Sequence, residues 1–364
     1  MFYFHPIAGA RFSNIIDVLC FEMTGCLRRR ESLSTALMNP AVVRELIDDA
    51  NSFKVGVLVQ SGLSKLGVDS QFLGIKQCQH QAMASSMYIQ RTREDIEAVL
   101  GDSGIRYAIL KGVASDLLLY GGLGQRGTTD IDLLIDPEQQ SETFEALATI
   151  GYYPQIRDSH RVSDPEHFQL LLCSSEPGRC PIDLHMQLNC DARFKDPGKG
   201  FLSRAQSYST HSGFVRALEW HDQLTYLSLN LSASVFRGGV IKLLLDAYAL
   251  LSQKEIDMDT VVERVRDCRG EQGLWGVLYL LKDWPGMESV APYEQALRPS
   301  GFRQLILRNN MGQRQRRWDT GSQVCRVIFF EWLTSGKPLW PVTYFSGRLK
   351  LRIADFRANT QPKS

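Results

Sequence analysis

Three aspartates in this chain stand where they could hold metal. Asp130 and Asp132 fall two apart in "TDIDLLID", a segment that alternates polar and apolar residues like a half-buried strand. Carboxylates so spaced project side by side from one face, about 7 Å apart at their Cα atoms. Unpaired they repel, and a divalent cation between them removes that cost. Asp183 lies on the polar face of a second alternating segment, "CPIDLHMQL", with His185 and Gln187 on the same face and Ile182, Leu184, Met186 and Leu188 on the other. If that strand lies alongside the first, three carboxylates can hold two metals about 3.5–4 Å apart, the arrangement for in-line phosphoryl or nucleotidyl transfer. Oxygen ligands with an incomplete shell suit Mg²⁺, which leaves its other positions to phosphate and water, and they also admit Mn²⁺.

A phosphate-binding element precedes the aspartates. Residues Tyr107 to Leu110 read as a short apolar strand ending at Lys111-Gly112, and the helical stretch "VASDLLLY" follows. At such a junction backbone N–H groups and the helix dipole favour a phosphate. Lys111 adds a point charge, and Arg126 offers a fork for phosphate oxygens. Further on, Lys242 and Asp246 stand four apart in the apolar helical stretch "GVIKLLLDAYALL". They form either a helix-surface ion pair or a lysine held by Asp246 that reaches a triphosphate. His185 either touches phosphate or acceptor, or hydrogen-bonds Asp183 to fix its rotamer.

Gly122-x-Gly124-x-x-Gly127 spells a dinucleotide-binding loop but fails the test of context. Such a loop must follow a strand and open a helix. Here a helix precedes the glycines and a strand follows them.

The elements that must position these residues form a compact α/β unit between helical stretches. From about Ile15 to Leu100 the apolar period is helical: "PAVVRELIDDA" begins at Pro40, and "QHQAMASSMYIQRTREDIEAVL" presents Met83, Met87, Ile96 and Val99 as core candidates. "PEQQSETFEALATIG" has Pro137 near its first helical position and Gly151 at its stop. "HFQLLLC" and "CPIDLHMQL" read as a hairpin joined by "SSEPGR". After about Asp191 helices return. The expected domains are an N-terminal helical region (1–100), the α/β core (101–195), a helical domain (196–300) and a basic C-terminal region (301–364).

Composition excludes little. A hydrophobic fraction of 44%, a charged fraction of 22% and a net charge of +1 are those of an ordinary globular chain. From Gly301 to Ser364 there are 12 Lys/Arg and 3 Asp/Glu, so a basic tail follows an acidic body. Within it Arg308–Trp318 combines four arginines with an aromatic, which suits either a solvated turn or a grip on RNA. The eight cysteines have no paired ligand spacing, and the remaining six histidines are read as structural. No apolar run of about 18 residues exists to span a bilayer, and the N-terminus lacks the layout of a secretory signal. The expectation is a cytoplasmic protein with reduced thiols and no membrane partner.

The ordered set "ILKG", "LY", an arginine, "TDIDLLID", "IGY" and "IDLH" resembles the DNA polymerase β-type nucleotidyltransferase superfamily, and within it a bacterial family of uncharacterised nucleotidyltransferases. The likeness runs from about Ile105 to Leu188. It implies an α+β fold: a small core of mixed sheet and helices, flanked by N- and C-terminal helical regions. It implies that Asp130 and Asp132 bind both metals, and that Asp183 completes the site beside the acceptor hydroxyl and assists its deprotonation. Lys111 and Gly112 fall at the superfamily's phosphate-binding turn, with Thr129 beside the aspartates. The turn's usual hydroxyl is missing at Val113 and Ala114, leaving Ser115 to offer one. The implied activity moves a nucleoside monophosphate from a nucleoside triphosphate, ATP being the commonest, to an acceptor that is a small molecule, peptide, protein or RNA. The alternatives are an inactive accessory or binding protein that keeps the fold, and an RNA-binding protein that uses the basic C-terminal region.

Overall fold

The structure, a computed structural model, describes residues 10–25, 30–68, 75–155, 169–188, 194–233, 240–301 and 304. The basic C-terminal region, with Arg308–Trp318, lies outside the described residues apart from positions 301 and 304.

Four helices open the described chain: α1 (Ala10–Thr24), α2 (Arg30–Leu37), α3 (Pro40–Ser52) and α4 (Gly56–Lys65). The third starts as its sequence demands. The Asn39 side chain accepts the Ala41 N–H at 3.0 Å, and Pro40 takes the first position, where no N–H is needed. A long helix, α5 (Ile75–Asp102), leads into β1 (Tyr107–Ile109), α6 (Lys111–Leu119) and β2 (Ile131–Ile135). Pro137–Gln139 forms a 3₁₀ turn that runs into α7 (Gln140–Thr149), which stops where Gly151 takes φ +78°. Then come β3 (Tyr152–Pro154), β4 (Gln169–Ser174), β5 (Ile182–His185), α8 (Gly198–Arg204), β6 (Gln206–Thr210) and β7 (Gly213–Ala217). The helices α9 (Trp220–Ala233), α10 (Val240–Gln253), α11 (Met258–Asp267), α12 (Glu271–Leu281) and α13 (Ala291–Ala296) finish it.

The strands make one mixed seven-stranded sheet in the order β3-β4-β5-β2-β1-β7-β6. The two strands bearing aspartates are neighbours: β2 runs parallel to β5, with Asp132 opposite Asp183. On the other side β2 pairs antiparallel with β1, Ile109 opposite Leu133. Period-two alternation sorts β2 between two layers. Ile131, Leu133 and Ile135 enter one core with Ile96 of α5 and Leu147 of α7, while Leu134 enters the opposite core with Phe201 of α8 and Tyr226 of α9. This is the expected α+β class, a mixed sheet with helical stretches before and after it in sequence.

The largest apolar cluster is neither of these. It joins Ile15, Leu19, Leu46 and Val59 of the opening helices to Leu245, Tyr248, Trp275 and Leu281 of the closing ones. The two helical stretches therefore share one core.

Three expectations are corrected. Met83 and Met87 are not core residues: they are 65% and 64% exposed on α5, whose buried face is carried by Ile89, Ile96 and Leu100. The sheet does not end with β5, because the β6–β7 hairpin adds to it through β1. Its outer strand, "QSYST", is too polar to announce itself by apolar alternation. Leu188 lies beyond the end of β5 and packs with Tyr226 and Phe201 rather than with Ile182 and Leu184.

Candidate active site

The sheet register brings the site together. The Leu110 N–H donates to the Asp132 carbonyl at 2.9 Å, extending the β1–β2 pairing by one step. Lys111, the first residue of α6, therefore arrives beside the Asp132 side chain, its Nζ 3.0 Å from Oδ1. Gly112 follows at φ +30°, ψ −96°, a conformation that favours glycine. A Cβ there would meet Thr128 Cγ2 at 3.1 Å and Asp132 Oδ2 at 3.7 Å, so the glycine lets the turn pass directly over the carboxylate.

On the other side of β2, parallel pairing sets Asp183 level with Asp132 and carries His185 two residues on, along the same face. His185 Nε2 lies 3.3 Å from Asp132 Oδ1 and 3.6 Å from Asp183 Oδ2. Gln169, on β4 opposite His185, donates its side-chain amide to Asp183 Oδ2. One ligand atom each from Asp132, Asp183 and His185 falls within a 4.8 Å cluster.

Asp130 is outside that cluster. It precedes the first residue of β2, whose ladder begins with the Ile131 N–H bonded to the Pro181 carbonyl at 3.0 Å, so no strand pairing fixes it. It is still close enough to feel its neighbours: burial and then the Asp132 charge push its carboxyl above the usual range. Asp132 shows the opposite balance. Burial disfavours its charge, but Lys111 and His185 outweigh that and hold the carboxyl well below the usual range. The Asp132 carboxylate accepts from His185 Nε2 when that nitrogen carries the ring proton, and in the other tautomer the Nε2 lone pair is open to a cation. Burial likewise opposes the charge of Lys111, and neighbours including Asp132 overcome it and keep the ammonium above its ordinary pKa. The Lys111 Nζ also stands 6.0 Å from the centre of the Tyr226 ring, whose hydroxyl accepts from Asn230 Nδ2 at 3.2 Å.

The other expected residues are distributed as follows. Ser115 is buried and lines a small cavity with Lys111 and Tyr226. Thr129 is exposed, while its neighbour Thr128 is buried against Gly112. The sequence reading passed over Thr128, and only the fold separates the two adjacent threonines. Arg126 is buried within a network rather than presented as an open fork: its Nε donates to Asp246 Oδ1 at 2.6 Å and its N–H to Asp116 Oδ1 at 2.7 Å. Asp246 also accepts from the Tyr120 hydroxyl at 3.0 Å. Thus Asp246 holds Arg126, and Lys242 Nζ donates to the Gly127 carbonyl at 3.0 Å. Burial, followed by the repulsion of Arg126, brings Lys242 down to about 8. The Gly122–Gly127 loop is a turn clamped by these groups, with α6 before it and β2 after it.

The donor set fits a divalent cation. Two carboxylates and an imidazole converge, one carboxylate is firmly ionised, and the Gly112 turn leaves space over Asp132 that a side chain would fill. Beside it stand Lys111 and the start of α6, groups that suit phosphate. Four cysteines with described side chains, Cys20, Cys173, Cys180 and Cys268, form no disulfide with one another and lie outside the cluster. No helix among the described residues is long and apolar enough to cross a membrane.

Comparison with known proteins gives a family. The sequence profile described as "Uncharacterised nucleotidyltransferase" matches residues 40–286, well over half of the chain. No curated protein matches. Among solved structures, the antibiotic-resistance factor ANT(2'')-Ia overlaps at a TM-score of 0.35 and 14% identity, covering 50% of this chain and 90% of that one. The lincosamide antibiotic adenylyltransferase LnuA, bound to lincomycin, overlaps at 0.31 and 17% identity, covering 44% and 94%. An antigenic nucleotidyltransferase-like protein from Paracoccidioides brasiliensis overlaps at 0.38 and 14% identity, covering 58% and 94%.

Proposed function

This chain belongs to the uncharacterised nucleotidyltransferase family, and on that premise we propose that it is a metal-dependent nucleotidyltransferase. It would move a nucleoside monophosphate from a nucleoside triphosphate to a hydroxyl-bearing acceptor. The observation that carries this reading is the convergence of Asp132, Asp183 and His185 within 4.8 Å, directly beside the Lys111-Gly112 turn.

Asp132 and Asp183 would hold a divalent metal, Mg²⁺ or Mn²⁺, with His185 as the third donor in reach and Asp130 joining from the end of the preceding loop. Once bound, such a metal neutralises phosphate charge and lowers the pKa of an acceptor hydroxyl. The residues do the remaining work. Lys111 and the backbone at the Gly112 turn would take the triphosphate, and Lys242, held at the Gly127 carbonyl, would approach it from α10. The buried pair of Arg126 and Asp246 fixes the loop that carries Asp130, so that the bound nucleotide meets a preformed site. Asp183, its Oδ2 held by Gln169, would lie beside the acceptor hydroxyl and take up its proton. The acceptor oxygen then bonds to the α-phosphorus, the bond from that phosphorus to the bridging oxygen breaks, and pyrophosphate leaves with the electron pair.

The test is transfer itself. Each α-labelled nucleoside triphosphate is incubated with the full chain, Mn²⁺ or Mg²⁺ and pools of small-molecule, peptide and RNA acceptors. Labelled product with matching pyrophosphate, lost in Asp183→Asn, is the expected result. No product from any nucleotide and acceptor pool, with the protein folded, would count against turnover.

A further inference from the structure

Lys111 and His185 converge on the same atom. The ammonium is 3.0 Å from Asp132 Oδ1, and His185 Nε2 is 3.3 Å from that same oxygen. A divalent cation held by Asp132 and Asp183 would have to share the Asp132 carboxylate with the Lys111 ammonium, a second positive charge in a place where little water screens the repulsion. The position of Lys111 is not an accident of a floppy side chain. The backbone bond from Leu110 to Asp132 fixes its Cα, the Tyr226 ring flanks its ammonium, and its side chain is only 23% exposed. Lys111 also stands just before the Gly112 kink at the start of α6, and an ammonium pairs with phosphate as it does with carboxylate, so a second anionic partner suits it.

We propose that Lys111 is a switch between two anions: it neutralises Asp132 until a triphosphate draws it away, so that the metal and nucleotide positions fill together. This rests on the nucleotidyltransferase reading. It adds that cation and triphosphate bind with positive coupling, each removing the cost of the other, and by linkage the coupling is reciprocal.

Two binding measurements on the full chain test it, neither of which needs turnover. In the first, Mn²⁺ alone is titrated into wild type, Lys111→Met and Lys242→Met. In the second, inorganic tripolyphosphate is titrated in the presence of a chelator. Lys111→Met should bind Mn²⁺ about tenfold more tightly than wild type and tripolyphosphate about tenfold more weakly, effects of opposite sign within the usual range of coupling. Lys242→Met also removes a positive charge near the site but breaks no pair with Asp132, and should tighten Mn²⁺ by much less. Equal Mn²⁺ affinity in wild type and Lys111→Met would overturn the switch, as would equal tightening in both variants, which marks a general field effect. Lys111→Gln repeats the test if the methionine variant does not fold. Failure of the parent reading is told apart by a third titration, of each nucleoside triphosphate with Mg²⁺ into wild type: none would then bind, while the Mn²⁺ and tripolyphosphate comparisons still report on Lys111. Mn²⁺ binding to no variant at all would overturn both.

Discussion

One oxygen of Asp132 receives both Lys111 and His185, and the chemistry proposed here turns on that atom. Alternation in sequence sets Asp130 and Asp132 on one face and Asp183 on a strand that could lie alongside, and the structure makes β2 and β5 neighbours with Asp132 opposite Asp183. The Asp-x-Asp spacing could not show that pairing begins at Ile131, which leaves Asp130 outside the tight cluster and gives its place to His185. The alternation Asp183-x-His185 held that information, because both residues had to share a face once β5 was a strand. Gly112 was read as a phosphate turn, and its φ of +30° adds a second reason for glycine. Gly112→Ala should lower stability by about 1–2 kcal/mol from backbone strain and push Thr128 against Asp132. A thermal melt should show the first effect, and loss of metal affinity the second. Lys242 makes a prediction in pH. Its folded pKa of about 8 is below the model-peptide value of 10.5, so between these the unfolded chain binds more protons and stability should rise as pH rises. Lys242→Met should abolish that rise. Triphosphate binding, which needs the charged form, should weaken by about tenfold between pH 7 and pH 9 in wild type and stay flat in the variant, as calorimetry at the two values would show.

Among the elements, those with strong period or clear punctuation were legible and those shaped by distant contacts were not. The segment "TDIDLLID" became β2 because one alternating face is wholly apolar, and Pro137 and Gly151 bracket α7 by backbone chemistry alone. The Met83 and Met87 stripe had a helical period without burial, since period shows which residues share a face and not whether another element covers it. The polar edge hairpin of β6 and β7 carried too weak a pattern to read. Arg126 and Asp246 are 120 positions apart in sequence, and only the fold turns a loop arginine into the buried partner of α10. That pair supports the loop between α6 and β2. Asp246→Asn would strand the Arg126 charge in a site with little water, at a cost of about 3–5 kcal/mol. Replacing both residues with apolar ones of similar size should recover much of this. Chemical denaturation of the single and double variants would read the difference, and a harmless Asp246→Asn would show that the pair does not hold the loop.

At the scale of the whole molecule, the chain closes on itself. The sequence sets N-terminal and C-terminal helical regions apart because an α/β unit lies between them, and helical period carries no trace of which helices meet. In the structure α1 to α4 share a single apolar core with α9 to α12, and Tyr248 of α10 reaches back to Thr24 of α1 at 3.5 Å. A chain lacking residues 1–65 should therefore expose that core and lose cooperative unfolding. Calorimetry should show one sharp transition for the full chain and a broad or absent one for the truncated form. The central claim is that this molecule binds a nucleoside triphosphate through a metal held on Asp132. The most direct measurement is calorimetric titration of each of the four nucleoside triphosphates, with Mg²⁺, into wild type and Asp132→Asn. The account predicts binding of at least one nucleotide to wild type, dependent on the metal and lost in the variant. Absence of binding to folded wild type, or binding that survives both Asp132→Asn and removal of the metal, would contradict it.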